Sequence, residues 1–251
     1  MLISNIINEI NKILQPEKFH DYCPNGLQVA GKTEIKKIIT GVSISEDLID
    51  IAIEKKADLV LVHHGMLWNK DDLAITDIKK NRLKKLLSHD INLIAYHLPL
   101  DCNCMFGNNI ELAKILNITV NAKFTQNFNT ELLFYGHFAD TIDGTDFAKL
   151  LTEVLARKPF YTQGKQEPIK TIAWCSGGGQ DFFAAAHKLN VDAFLTGEVS
   201  ERNVLFARET GMHFYAAGHH ATERYGVKAL GNYLEKHFNI IHEFIDIDNP
   251  V

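Results

Sequence analysis

The chain has 251 residues, 46% hydrophobic and 23% charged, a mixture suited to one large or two smaller globular α/β units and unlike a disordered chain. Its formal net charge of -5 gives no electrostatic footprint for nucleic acid, and no run of about 20 apolar residues is present to span a membrane. Asn5, Asn8, Glu9, Asn11 and Lys12 break up the opening residues, which do not read as a secretory leader. Cys23, Cys102, Cys104 and Cys175 lack C-x-x-C spacing, so the expectation is a reduced, cytoplasmic protein.

Along the chain, Ile3, Ile6, Ile7, Ile10, Ile13 and Leu14 mark one face of a first helix. Residues 37–43 predict a strand, 46–56 a helix and 58–63 a strand. In 79–88, Leu83, Leu86 and Leu87 interleave with Lys79, Lys80, Arg82, Lys84 and Lys85, the pattern of an amphipathic helix with a solvated basic side. A strand over 91–97 and a helix over 108–116 follow. Residues 124–130 are polar and Asn-rich without a period and place a boundary there. A first α/β domain would span 1–124 and a second α/β segment 125–251, with its C-terminal part able to pack into the first.

Strands over 132–138, 169–175, 193–196, 212–217 and 240–247 alternate with helices over 145–155, 181–189, 201–209 and 223–237. Such alternation predicts βαβ units, hence two linked α/β domains with largely parallel or mixed sheets flanked by helices. The two halves share a rhythm but no repeat in sequence.

Three clusters of His and carboxylate stand just past apolar strands. His63-His64-Gly65 follows Leu59-Val60-Leu61-Val62, His97-Leu98-Pro99-Leu100-Asp101 follows residues 91–96, and His219-His220-Ala221-Thr222-Glu223 follows residues 213–217. Ligands of open parallel sheets bind beyond the carboxyl ends of the strands. Neighbouring strand residues point to opposite faces, so His63 and His64 share a site only where the strand gives way to a loop, a turn Gly65 permits. His219 and Glu223 are four apart, on one side of a helix that begins there.

His63, His64, Asp101, His219 and Glu223 are the expected metal ligands. Three imidazoles and two carboxylates exceed the needs of one four-coordinate zinc and suit two divalent ions per subunit. Such a pair polarises a substrate oxygen and activates water near neutral pH. The mixed N/O set admits zinc, manganese, iron, nickel or cobalt. With two anionic ligands the centre keeps positive charge and attracts small anions. His97 is the candidate catalytic acid/base, or else orients Asp101.

His220 is expected to face away. Ser176-Gly177-Gly178-Gly179-Gln180 reads either as an anion cradle or as a tight connection. Glu198, in Thr196-Gly197-Glu198, is a weaker candidate to line the same cleft. Cys102 and Cys104 are expected not to be ligands.

Five ordered motifs carry a family resemblance. Asp21-Tyr22-Cys23-Pro24-Asn25-Gly26-Leu27-Gln28-Val29 is followed by Leu61-Val62-His63-His64-Gly65 and by Tyr96-His97-Leu98-Pro99-Leu100-Asp101 with Gly107-Asn108-Asn109. Thr196-Gly197-Glu198 and Gly218-His219-His220-Ala221-Thr222-Glu223 complete the set. Together they resemble the GTP cyclohydrolase 1 type 2 homologues, the Nif-three-like proteins, in their short bacterial form. Cys102-Asn103-Cys104 departs from the Ala-His-Pro usual in that family.

The resemblance implies two linked α/β domains with a dinuclear metal site between them, held by His63, His64, Asp101, His219 and Glu223. It also implies a toroidal homohexamer. The family name implies hydrolytic opening of the GTP imidazole ring with release of formate, His97 moving protons. The expected function is therefore a metal-dependent hydrolase acting on a nucleotide or another phosphorylated small molecule. A non-catalytic metal-binding or metal-delivery assembly is the alternative.

Overall fold

The structure, a computed structural model, describes residues 1–124, 131–165 and 168–251; residues 125–130 of the expected boundary stretch lie outside the described residues. Two compact units are formed. The first comprises Met1–Gly107 and Gly226–Asp248, and the second Asn108–Tyr225 with Asn249–Val251. The expectation was a division near residue 124. The compact units divide at Gly107/Asn108, at Tyr225/Gly226 and at Asp248/Asn249.

The elements, in order, are α1 (Ile3–Leu14), β1 (Gly26–Val29), β2 (Lys37–Ser43), α2 (Glu46–Glu54), β3 (Leu59–His64), α3 (Asp77–Ser88), β4 (Asn92–Ala95) and α4 (Leu98–Cys102). They continue with α5 (Asn108–Ile115), β5 (Ile118–Phe124), β6 (Leu133–Ile142), α6 (Gly144–Leu155), β7 (Phe160–Thr162), β8 (Ile169–Cys175), α7 (Phe183–Lys188) and β9 (Ala193–Thr196). The last four are α8 (Glu201–Thr210), β10 (His213–Ala216), α9 (His219–Phe238) and β11 (Ile241–Phe244).

The first unit holds a five-stranded sheet in the order β1-β4-β3-β2-β11. All its neighbours are parallel except β1, which runs antiparallel to β4. The alternation of β3 shows how its apolar run is used. Leu59 and Leu61 pack on one face with Ile6, Ile10 and Leu14 of α1 and Val227, Leu230 and Leu234 of α9. Val60 and Val62 pack on the other with Leu48, Ile49 and Ala52 of α2 and Leu86 of α3. Covering both faces explains why β3 reads as unbroken hydrophobic sequence. Helix α2 starts where it does because the Ser45 side chain accepts from Leu48 N–H at 3.1 Å, with Glu46 and Asp47 in its first turn.

The second unit holds a six-stranded mixed sheet, β5-β6-β8-β9-β10-β7. Its parallel centre, β8-β9-β10, is flanked by antiparallel pairings on both sides. Phe147, Leu151 and Leu155 of α6 pack with Ile172, Trp174, Leu195 and Tyr215. On the opposite face Phe183 and Ala207 pack with Ala173, Phe194 and Phe214.

The path β2-α2-β3-α3-β4 is repeated by β8-α7-β9-α8-β10, each with an antiparallel strand, β1 or β7, beside its last member. The rhythm shared by the halves is thus a repeated topology. An aspartate before the middle strand marks it in both. Asp58 accepts from Lys36 N–H at 2.9 Å and Lys37 N–H at 3.1 Å, while Asp192 accepts from Lys170 N–H at 3.0 Å and Thr171 N–H at 2.8 Å.

Asp58 also pairs with Lys32 at 2.7 Å. Burial pushes its carboxyl up, but the Lys32 bond and the two backbone donors outweigh that and hold it below the usual range. A depressed folded value means that the group stabilises the fold above the unfolded carboxylate value, and that this is lost as pH falls through the lowered folded value. Asp58→Ala is expected to cost about 2 kcal/mol in urea unfolding at pH 7, with the difference from the unsubstituted chain shrinking below about pH 4. An equal difference at pH 7 and pH 3 would contradict this account.

Among the described residues, no helix is long and apolar enough to cross a membrane.

Candidate metal centre

In the first unit, β3 runs through His64, so both histidines belong to the strand rather than the loop. Their rings nonetheless converge, with centroids 4.4 Å apart. They stand at the strand's carboxyl end, past its last paired residue with β4, Val62, while His64 still pairs with Ser43 of β2. Gly65 contributes differently from the expected turn: it has no positive φ, and a Cβ there would run into the Gln28 side-chain amide, whose Oε1 accepts from Met66 N–H at 2.9 Å. The glycine makes room for a strut between β1 and the loop after β3.

His97, just past β4, joins them. His63, His64 and His97 each offer a ring nitrogen, and these nitrogens all lie within 4.8 Å of one another. Asp101 sits on α4, 5% exposed, with Oδ1 3.5 Å from His63 Nε2. The sequence predicted no helix here; Pro99 near its start and the buried Leu98 and Leu100 fit its short span.

Each imidazole is oriented from behind. His63 Nδ1–H donates to the Tyr96 carbonyl at 2.9 Å, and His97 Nδ1–H to Asp21 Oδ1 at 2.7 Å. Both acceptors lack a proton, so in the neutral rings Nε2 carries the lone pair. His64 Nδ1 is 2.8 Å from Ser43 Oγ. An oxygen partner behind each ring is the arrangement that fixes metal-binding histidines.

Asp21 is the main residue sequence reasoning passed over. Its carboxylate accepts from His97 Nδ1 at 2.7 Å, Tyr22 N–H at 2.6 Å, Asn25 Nδ2 at 2.8 Å and Leu98 N–H at 3.0 Å. Burial works against the charged form, but these partners, His97 foremost, hold it below the usual carboxylate range. His97 was expected to orient Asp101 or to act as acid/base; the carboxylate on its Nδ1 is Asp21. Cys23 approaches the same pair, and burial and the Asp21 charge push its thiol up to about 12. Cys102 and Cys175 are buried and Cys104 exposed.

In the second unit, α9 begins at His219, as the four-residue spacing required. His219 Nε2 lies 3.2 Å from Glu223 Oε2, and Nδ1 lies 2.7 Å from Glu198 Oε1. Burial pulls the His219 imidazole down, but Glu223 and then Glu198 outweigh it and push it up to about 9. Glu198, singled out only as a cleft-lining residue, is thus the group behind His219. His220 is buried, its N–H donating to the Val251 carbonyl at 3.0 Å.

The glycine loop after β8 is a tight connection rather than an anion cradle at its first two residues. Ser176 N–H donates to Asn109 Oδ1 and Gly177 N–H to Thr222 Oγ1, both at 2.9 Å. Gly177 has φ +60, and a Cβ on it would run into Glu223 Oε1 and lie 3.0 Å from His219 Nε2. The loop packs directly against this carboxylate–imidazole pair.

Imidazole nitrogen and carboxylate oxygen form a borderline donor set that suits zinc, iron, manganese or nickel. The pre-oriented rings of the first unit fit such an ion.

The molecule is therefore a two-unit α/β protein that carries candidate divalent-metal ligands at the carboxyl ends of strands in both units. The chain belongs to the Duf34/NIF3 (NGG1p interacting factor 3) family, whose profile matches residues 1–250. It is 46% identical to a GTP cyclohydrolase 1 type 2 homolog of Pseudomonas aeruginosa over 99% of this chain and 98% of that one. The solved structure of protein ybgI, described as of unknown function, superposes with a TM-score of 0.95 at 44% identity over 100% of both chains. A Thermus thermophilus protein does so at 0.89 and 30% identity, again over 100% of both. The fold and family expected from the five motifs are borne out.

Proposed function

We propose that the two groups serve one dinuclear divalent-metal centre, with His63, His64 and Asp101 contributed by the first unit and His219 and Glu223 by the second. The reading takes the protein as a metal-dependent hydrolase of a nucleotide or phosphorylated small molecule, in line with the name its curated relatives carry. The observation that carries it is the oxygen partner behind the Nδ1 of His63, His64 and His219, the arrangement that orients metal-binding imidazoles. Divalent ions bound there would supply Lewis acidity toward a substrate oxygen.

The protein's own groups divide the remaining work. Asp101 and Glu223 offset the charge of the centre. In this reading His97, held at Nδ1 by Asp21, takes or gives a proton at Nε2. The homohexamer implied by the family resemblance belongs to the same reading; a sedimentation mass of six chains is the expected result.

The test is elemental analysis combined with turnover. Protein loaded with Zn, Mn or Fe is expected to hold two ions per chain and to release formate or phosphate from a nucleotide panel. His64→Ala is expected to lower metal affinity about 10- to 100-fold and to abolish release while keeping its circular dichroism. Less than one ion per chain under saturating metal, or full metal content with no turnover of any member of the panel, would overturn the centre or the hydrolase reading respectively.

A further inference from the structure

Two large aromatic side chains border the imidazole cluster of the first unit, and nothing described so far uses them. Tyr22 follows Asp21 in the loop before β1 and is 65% exposed; Trp68, in the loop after β3, is half-buried. Both meet His97. The Trp68 ring stands edge-on to it at 5.3 Å between centroids and 82° between planes, and Tyr22 at 6.3 Å and 61°. Trp68 also lies 6.0 Å from the His64 ring.

The exposure of Tyr22 is not that of a loose loop. Its N–H is held by Asp21 Oδ1 at 2.6 Å, and its carbonyl accepts from Asn69 N–H at 2.8 Å. Asn69 Nδ2 donates to the Asp21 carbonyl at 3.0 Å, which ties the Tyr22 loop to the residue after Trp68. Among the described residues, neither the Tyr22 hydroxyl nor the Trp68 indole N–H makes a hydrogen bond. An aromatic body left in water on a pinned backbone, with its polar tip unused, forgoes burial that folding normally secures. It is also pre-organised, so a ligand meeting it loses little ordering entropy.

We propose that Tyr22 and Trp68 form a stacking platform for the planar heteroaromatic ring of the ligand whose polar end faces His63, His64 and His97. The inference rests on the metal-centre reading for what the polar end meets. It extends that reading to a substrate class, a purine-like or other flat nitrogen heterocycle, and to the residues that select it. A ring on these faces gains stacking, with hydrogen bonds to the hydroxyl and indole N–H. A phosphorylated sugar without a base gains neither.

Trp174 is fully buried, its indole N–H donating to the Asn109 carbonyl at 2.9 Å, so a ligand-dependent change in tryptophan emission reports Trp68. The full-length protein, with its zinc content measured, is titrated with GTP, with ATP, with ribose 5-phosphate and with tripolyphosphate; the same series is run on chelator-treated protein. Quenching by at least one nucleotide, and not by the base-free compounds, is expected. Tyr22→Ala and Trp68→Ala should weaken nucleotide binding about 5- to 100-fold, the range of base-stacking losses, while tripolyphosphate affinity and zinc per chain stay unchanged. The weakening is read for Trp68→Ala by calorimetry. Tyr22→Phe and Trp68→Phe should retain most of the affinity.

Equal affinity for nucleotides and base-free compounds, no quenching by either nucleotide, or unchanged nucleotide binding in Tyr22→Ala would overturn the platform. So would a Tyr22→Ala protein whose only change is its oligomeric mass, since Tyr22 would then be an interface residue. Zinc uptake that fails while nucleotide quenching persists would remove the metal centre and leave the platform standing.

Discussion

Gly177→Ala is expected to be among the most damaging single substitutions in the chain, although it adds one methyl group. At φ +60 an alanine is strained by about 1–2 kcal/mol. Its Cβ would also meet Glu223 Oε1, and the loop cannot swing aside freely. Gly177 N–H is committed to Thr222 Oγ1 at 2.9 Å, and its carbonyl accepts from Gly197 N–H at 2.9 Å and Thr196 Oγ1 at 3.2 Å. Either Glu223 moves or these bonds break. Metal titration by calorimetry should show a fall in affinity of about 10- to 100-fold, as when a group supporting a ligand is displaced. Urea unfolding should show a loss of about 2–4 kcal/mol. Wild-type values in both measurements would mean that the loop does not press on Glu223.

Asp21→Ala should act on the other unit with comparable force. One carboxylate there accepts from Tyr22 N–H, Asn25 Nδ2, His97 Nδ1 and Leu98 N–H. Removing it strands donors beneath the surface, at roughly 1–3 kcal/mol for each that water cannot reach, and leaves His97 free to rotate. We expect a loss of about 3–4 kcal/mol in stability, combined with a fall in turnover larger than that of any Tyr22 variant. Asp21→Asn keeps the shape but lacks the charge and can offer its own N–H to His97, so it should rescue stability more than turnover. If Asn restores both equally, the carboxylate is a scaffold and does not set the His97 tautomer.

Much of the fold could be read from the sequence because its parallel strands are covered on both faces, and so stand out as apolar runs between amphipathic helices. Residues 58–63, 169–175 and 193–196 were placed almost to the residue. The strands that escaped were edge or short elements. β1 (Gly26–Val29) and β7 (Phe160–Thr162) have too few residues for any period to show, and β5 (Ile118–Phe124) carries Asn121 and Lys123 on an edge strand where polar side chains meet water. The five-residue helix α4 had no room for a helical period either.

The candidate ligands were legible because two adjacent imidazoles are costly to bury after a strand, and because His219 and Glu223 kept the spacing of one helical turn. Their supports were not. Asp21, Ser43 and Glu198 reach their histidines from elements distant in sequence, and a lone Asp, Ser or Glu carries no periodic signal. The Asp21-Tyr22-Cys23-Pro24-Asn25 motif was visible as a family signature, while its physical work, bracing His97, became apparent only with the hydrogen bonds.

The recurring strand path sets matching positions of the two units to different tasks. At the same distance past Asp58 and Asp192 stand His64 and Glu198, one an imidazole braced by Ser43, the other a carboxylate that braces His219. One strand path thus serves two tasks: in the first unit the position presents an imidazole, and in the second it steers the imidazole of a neighbour. Exchanging the two residue types should therefore fail in both directions, because Ser43 suits an imidazole and His219 a carboxylate.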